Sequence, residues 1–454
     1  MTACERLELP YIADLLAVHS SAHRQYPHLI SCTSENDPRA RYSMLFSASG
    51  ERIVAWPDGR VEGASGEAKF LLALQAAYGD RHRSSPHDDA DLPFNGGWFL
   101  FLSYELAGEI EPRLQLPGFE GDFPVAYADY CPGAFIVDHL TGKTTLVAES
   151  GELLERMHTD LQNAGTATDL PDSFKIELSA DDPAEFIDSV NRIHEYILDG
   201  DVFQVNLSRN WTGVAPENLD PASLFKELAL NNPAPFAGLS SFDGAAVVSS
   251  SPERLVEVHG RSVQTRPIAG TRPRGAGAQE DMALSEELLG HPKERAEHIM
   301  LIDLERNDLG RVCKPGSVEV DELMVVESFA HVHHIVSNVR GELADDATPV
   351  DVIRALFPGG TITGCPKIRC MEIVAELEAT GRGFYTGSMG YLGKNGNMDL
   401  NILIRSMFVR DNTLAFRTGA GIVADSVPQG EVKETEAKAK GLIMALVNQR
   451  LPDV

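Results

Sequence analysis

Asp182-Pro183-Ala184-Glu185 and Val202-Phe203-Gln204-Val205-Asn206-Leu207-Ser208-Arg209 bracket the segment in which the spacing of apolar residues changes. The first reads as a helix start: an acidic cap, proline at the first helical position and glutamate at the third. Phe186, Val190, Ile193 and Ile197 then recur at helical spacing until Gly200 ends the run. From Val202 the pattern alternates, with Phe203, Val205 and Leu207 on one face and Gln204, Asn206 and Ser208 on the other. A helix thus feeds a strand whose second face is polar. Strands and helices continue to alternate irregularly after residue 180, and no Gly-rich strand-to-helix nucleotide turn appears. A doubly wound dinucleotide fold is disfavoured, and a mixed α/β layered fold is expected.

Outward from this segment, the polar stretch Thr166 to Pro183 is the better of two punctuation points, the other being Gly79 to Pro93. Trp98 to Tyr104 and Ala134 to Val137 read as strands, so residues 1–165 form a β-rich region ahead of a second region at 180–450. With 454 residues the chain exceeds the size of one simple core. Its 43% hydrophobic and 23% charged content is that of a chain that folds throughout. There is no internal repeat and no low-complexity tract.

The net charge of -28 repels phosphate backbones and anionic headgroups, which argues against nucleic acid and membrane partners. The same field opposes an anionic substrate, so a dicarboxylate site needs locally placed Arg, Lys, helix N-termini or a metal. Glu5, Arg6, Glu8 and Asp14 interrupt the opening stretch, so no secretory signal is expected there, and no apolar run is long enough to span a bilayer. The six cysteines lack C-x-x-C spacing, so a cytoplasmic, reducing environment is expected.

Near the C-terminus, Glu431, Glu434 and Lys438 stand at i, i+3 and i+7 of a helix whose buried stripe is Ala439, Leu442, Ile443 and Leu446. Glu294 and Glu297 repeat the i, i+3 spacing. Each pair on its own also reads as a solvated charged face. Converging, the two pairs would suit one Mg2+, which takes oxygen ligands and shares its shell with water and anionic substrate. Phe357-Pro358-Gly359-Gly360-Thr361-Ile362-Thr363-Gly364-Cys365-Pro366-Lys367 runs into a helix with the stripe Cys370, Ile373, Val374 and Leu377. Such an entry puts free backbone N–H groups and hydroxyls at a positive helix end, which suits a carboxylate; the alternative is an ordinary capped turn. In His331-Val332-His333-His334 the strand context puts His331 and His333 on one face and His334 on the other. These are packed histidines, or one is a general acid/base; a zinc pair lacks companion ligands.

At these motifs the chain resembles the chorismate-utilising enzymes, which include anthranilate synthase component I, aminodeoxychorismate synthase component I, and isochorismate and salicylate synthases. The resemblance covers about residues 180 to 450 through Asp201 to Arg209, Ser251-Pro252-Glu253-Arg254, Thr265 to Gly275, Lys293 to Asp308, His334 to Ser337, Phe357 to Lys367 and Gly419 to Lys438. It implies a layered sandwich of two large antiparallel sheets covered by helices. It implies Glu297 and Glu434 as Mg2+ ligands, with Glu294 and Glu431 acting through water. His334 matches a histidine near the departing C4 hydroxyl of chorismate. Tyr391, Arg405, Lys438, the Gly419-Ala420-Gly421 backbone and Thr363-Gly364 match groups holding the substrate carboxylates.

Family members that add water carry a basic lysine where this chain has Gln204. A neutral amide cannot take a proton from water, whereas ammonia needs no such base, so the resemblance points to the amine-transferring branches. Gln204 to Leu207, Phe357 to Gly360, the compact length and Leu29-Ile30-Ser31-Cys32 favour the aminodeoxychorismate branch, and Glu253 either matches a glutamate with an acid/base role there or forms a structural ion pair with a nearby Arg. Against it stands Ala269, where that branch carries a nucleophilic lysine and anthranilate synthases carry alanine. A chorismate-binding paralogue without turnover would have lost acidic ligands, and all four glutamates are present. No cysteine lies in a Gly-x-Cys-x-Gly setting, so ammonia is expected from a partner glutamine amidotransferase.

Overall fold

A computed structural model describes residues 4–34, 41–64, 69–83, 92–118, 121–167, 170, 175–217, 219–275, 277–328 and 332–447. The helix that follows Asp182 spans Pro183–Leu198, and the Asp182 carboxylate accepts from the Ala184 N–H at its start. Phe186, Val190, Ile193 and Tyr196 form its buried side, with Tyr196 taking the place expected for Ile197. The strand runs Gln204–Val214, two residues later than the alternation suggested. Val205 and Leu207 are buried as expected, but Phe203 precedes the strand and is 68% exposed. The cause is local: the Phe203 N–H donates to Cys365 O at 2.8 Å in the approach to the strand, which turns its side chain outward.

Among the described residues the strands form two large sheets, and every named pairing is antiparallel. Neither sheet respects the division of the sequence at 166–183. In the first, His28–Ser31 pairs with Phe236–Phe242. In the second, Gly97–Leu102 pairs with Ser388–Gly393. The two sheets pack face to face over Phe46, Phe99, Phe101, Tyr127 and Phe242, whose aromatic rings give each large apolar area.

Gly97–Leu102 shows why a run without alternation is still a strand. Phe99 and Phe101 enter the core between the sheets, while Trp98, Leu100 and Leu102 face a second core beneath helices Phe70–Arg83, Pro292–Gly310 and Pro349–Leu356. Both faces are covered, so both are apolar. On the far side of the first sheet, Pro221–Asn231 and Pro428–Val447 bury Leu224, Leu228, Leu442 and Leu446. Fully burying each such side chain stabilises by about 1.5–3 kcal/mol relative to exposure. The order is helices, sheet, sheet, helices. Helices Pro292–Gly310 and Pro428–Val447, which carry the two acidic pairs, thus belong to opposite outer layers.

Candidate active site

The acidic pairs meet at the starts of those two helices. Burial raises the proton affinity of Glu297; Lys293 opposes this, and Glu294, Glu431 and Glu434 add to it by like charge. Burial likewise raises that of Glu431, opposed by a Ser426 hydrogen bond and reinforced by Glu434. Cations hold the set: Arg272 contacts Glu294 at 3.1 Å, Lys293 contacts Glu297 at 3.8 Å and Lys438 contacts Glu434 at 2.7 Å. Among the described residues no three carboxylate, thiol or imidazole groups are already drawn in to metal-ligand distance. Glu294, Glu297, Glu431 and Glu434 are the carboxylates here that could hold a hard divalent cation.

Strand Ile268–Pro273 brings Ala269 and Gly270 alongside. The pairing with Val332–Glu342 shifts register between Ala269 and Thr271, and Gly270 adopts φ +63° at this bulge. A Cβ there would stand 2.8 Å from a Glu294 carboxylate oxygen, so glycine is what lets the bulge lie against the acidic pair. His334 packs across it. Its Nδ1–H donates to Gly270 O at 2.9 Å, and since a carbonyl only accepts, this leaves Nε2 as the basic nitrogen. His333 points the other way, between Ser328 and Asp281, as alternation requires. His331 lies outside the described residues.

The opposite wall is strand Thr413–Ile422 paired with Gln204–Val214. A Cβ on Gly419 would lie 2.7 Å from the Tyr385 hydroxyl and 2.9 Å from Asn206 Oδ1, and one on Gly421 2.6 Å from Gln204 Nε2. The two glycines therefore make room for the polar face of the neighbouring strand. Lys438 spans from Gly419 O, at 3.0 Å, to Glu434, linking this wall to the carboxylates. Gln204 is 7% exposed, yet among the described residues its Oε1 has no hydrogen-bond partner, and Asn206 Oδ1 is also unmatched.

The 357–367 loop closes the floor. Gly364 has φ +126°, and a Cβ on it would stand 2.1 Å from Gln204 O, so the strand can approach only a glycine. The N–H groups of Thr363 and Gly364 both donate to Gly360 O, and the Thr363 hydroxyl donates to Gly359 O at 2.9 Å. This corrects the expectation of free donors: the loop turns back on itself and uses them internally. The Thr361 hydroxyl, in contrast, is buried without a well-directed hydrogen bond. It stands beside Glu253, whose carboxyl burial pushes up to about 7; Thr361 and Lys438 oppose this shift and Glu305 adds to it.

Arg405 adopts φ +53° beside Tyr385, and among the described residues no carboxylate pairs with its guanidinium. Burial lowers its proton affinity, with Tyr385 opposing. Tyr391 does not join it. Its ring packs in the core between the sheets, 6.2 Å from Phe46 and 5.7 Å from Phe94, and borders a separate cavity of about 350 Å³ lined by Arg254, Glu257 and Asp399. Tyr391 lies within strand Ser388–Gly393, where alternation sends it toward the opposing sheet, whereas Tyr385 lies in the preceding turn and reaches Gly419. Sequence reading missed Tyr385; the signal available was an aromatic in a turn between Gly383 and Gly387. Beneath Tyr385, the buried Arg382 donates to Ile362 O at 3.1 Å and to Asn206 O at 2.7 Å, tying loop to strand.

A buried arginine that no carboxylate pairs with among the described residues, a lysine shared with glutamates and a histidine with a fixed tautomer make an arrangement whose chemistry suits a small anionic ligand. The chain belongs to the chorismate binding enzyme family, whose profile matches residues 30–444. It is 46% identical over 360 residues to the anthranilate synthase component I-like protein of Synechocystis sp., covering 78% of this chain and 73% of that one. It is 42% identical to aminodeoxychorismate synthase component 1 of Bacillus subtilis, covering 84% and 83%. The crystal structure of anthranilate synthase component I from Streptococcus pneumoniae matches with a TM-score of 0.77 at 31% identity, over 90% of this chain and 93% of that one. Relatives named anthranilate synthase component I and aminodeoxychorismate synthase component 1 are thus both similar to it, and no described helix is long and apolar enough to cross a membrane.

Proposed function

We propose that the chain is component I of an aminodeoxychorismate synthase, which replaces the C4 hydroxyl of chorismate by ammonia and releases water, on the route to p-aminobenzoate and folate in the cytoplasm. The observation that supports the amine-transferring part of the reading is Gln204, a buried amide whose acceptor is unmatched among the described residues, standing where water-adding relatives of the family carry a basic lysine; Gln204 to Leu207, Phe357 to Gly360 and Leu29 to Cys32 favour the aminodeoxychorismate branch. The Gln204 amide can accept an N–H from ammonia and cannot deprotonate water.

In this reading Arg405, Tyr385 and Lys438 hold the substrate carboxylates. Glu297 and Glu434 would hold Mg2+, with Glu294 and Glu431 behind them. The metal, when bound, supplies positive charge to a substrate carboxylate in a chain that is otherwise strongly acidic. His334 Nε2 takes part in proton transfer as the C4 hydroxyl leaves, its ring fixed by Gly270 O. Glu253, whose carboxyl burial pushes up to about 7, can exchange a proton with the substrate near neutral pH. Ammonia comes from glutamine through a separate amidotransferase subunit.

Ala269 favours a second reading, anthranilate synthase component I, because a methyl group cannot supply the amine nucleophile. Incubating the purified chain with chorismate, Mg2+ and ammonium, with and without a pyruvate-eliminating lyase, separates the two. Aminodeoxychorismate that the lyase converts to p-aminobenzoate supports the first reading. Anthranilate and pyruvate formed without the lyase establish the second.

A further inference from the structure

Glu305 has no part in the set of residues assembled above, yet it is a carboxylate at 4% exposure directly behind the site floor. It lies on helix Pro292–Gly310, two turns beyond Glu297 and on the same side at i+8. Its Oε1 accepts the Gly360 N–H at 3.3 Å. The next loop residue, Thr361, is the one whose hydroxyl stands at Glu253. Two buried carboxyl groups from different elements therefore meet successive residues of one loop.

The charges around the pair are few. Asp308, on the same helix, is the main like charge on Glu305 and is ion-paired with Lys367, which opposes it and whose ammonium also donates to Leu356 O at 3.0 Å. Lys438 approaches from helix Pro428–Val447 on the Glu253 side, and Thr265 offers Glu305 a hydroxyl. Helix Pro349–Leu356 packs against the Glu305 helix and adds Arg354, on the groove where Asp308 also lies. Arg272 and His334 belong to the upper part of the helix, at Glu294 and Gly270. Neither Glu253 nor Glu305 has a cation of its own in direct ion-pair contact among the described residues.

We propose that Glu305 is a positioning residue: through its like charge and its hold on the Gly360–Thr361 loop, it keeps the Glu253 carboxyl in its proton-bearing form and aimed at the substrate. Burial pushes both carboxyls up to about 7; the charge of Glu305 adds to the rise at Glu253, while Asp308 adds to the rise at Glu305 and Lys367 opposes it. Glu253 beside Glu305 holds a proton at neutral pH that a lone buried glutamate beside Lys438 would yield more readily. The inference rests on turnover of chorismate at this site and is indifferent to which amine is the product.

Glu305→Gln keeps the shape and an acceptor for the Gly360 N–H while removing the charge. Chorismate consumption against pH, whatever the product, is measured alongside the infrared carbonyl band of protonated buried carboxylic acids in the unliganded full-length chain, for the wild type, E305Q and E253Q. The expected result is a carboxylic acid band in the wild type that persists to neutral pH, from which E253Q removes the Glu253 part and leaves that of Glu305. In E305Q the Glu253 part of the band and the corresponding limb of kcat move to lower pH by about one unit, with KM for chorismate little changed. Glu305→Met, apolar and of similar length, gives the same shift if charge is what acts, and serves if E305Q fails to fold. A folded variant with band and limb both unmoved overturns the proposal. Absence of turnover in the wild type would instead refute the proposed function, and the infrared titration would still decide the coupling.

Discussion

Glu378 and Arg382 form an ion pair of 2.8 Å in which each side chain is only 1% exposed. Glu378 also accepts from the Ser208 N–H and hydroxyl, both at 2.8 Å, and from Arg417 at 3.2 Å. Its carboxyl titrates below the usual range because Arg382 and Arg417 outweigh the burial that would otherwise raise it. Glu378→Gln leaves two buried guanidinium groups without a carboxylate. We expect a loss of about 3–5 kcal/mol in urea unfolding. A loss under about 1 kcal/mol would show that water replaces the partner.

The placement of the two tyrosines predicts a clear contrast. Tyr385→Phe removes a hydroxyl that borders Gly419 and should reduce kcat/KM roughly tenfold, as loss of one hydrogen bond to a charged group does. Tyr391→Phe lies in the packed core and should leave steady-state chorismate kinetics within about twofold. The reverse result would return the substrate to Tyr391.

Glu297→Ala and Glu434→Ala should each abolish turnover, by roughly a thousandfold or more. The independent readout is the thermal midpoint: Mg2+ with chorismate should raise it in the wild type and not in either variant. A variant with near-normal activity would exclude the metal assignment.

His19 makes acid stability testable away from the site. Burial pushes its pKa down to about 4, although its Nδ1 contacts Tyr26 O at 2.7 Å. Unfolded, it takes a proton near 6.5, so between about pH 6.5 and 4 the unfolded chain binds more protons than the folded one. Its contribution is complete above that window and is lost as pH falls through it, by at most roughly 3 kcal/mol. His19→Asn should flatten that part of the stability profile in denaturant titrations at stepped pH.

Much of this was legible in the sequence because the relevant signals are periodic. The Pro183–Leu198 helix and the polar face of Gln204–Val214 follow from spacing alone, and the i, i+3 acidic pairs are visible on their helices. What spacing cannot show is which faces meet. Tyr391 and Tyr385 are both aromatic and near Arg405 in sequence, and only the alternation of Ser388–Gly393 and the turn before it separate their directions. Phe203 read as part of an apolar stripe because a strand start is not marked by residue type, and a backbone hydrogen bond to Cys365 decided it. The Thr363 and Gly364 N–H groups read as free because a loop's internal bonds leave no imprint on composition. Glu305 went unnoticed since a lone acid in a helix resembles a surface residue until its burial is known.

The interleaving of the two sequence halves in both sheets governs how the chain is made. On the ribosome, Gly97–Leu102 emerges long before its neighbour Ser388–Gly393, and His28–Ser31 waits for Phe236–Phe242. Until then those apolar edges lie open to any other strand. Synthesis therefore ends with a cooperative closure of distant segments, the kind of late, non-local assembly that folds slowly and draws on chaperones. A product truncated between the halves inherits the open edges without the strands that cover them, and its fate is aggregation rather than partial activity.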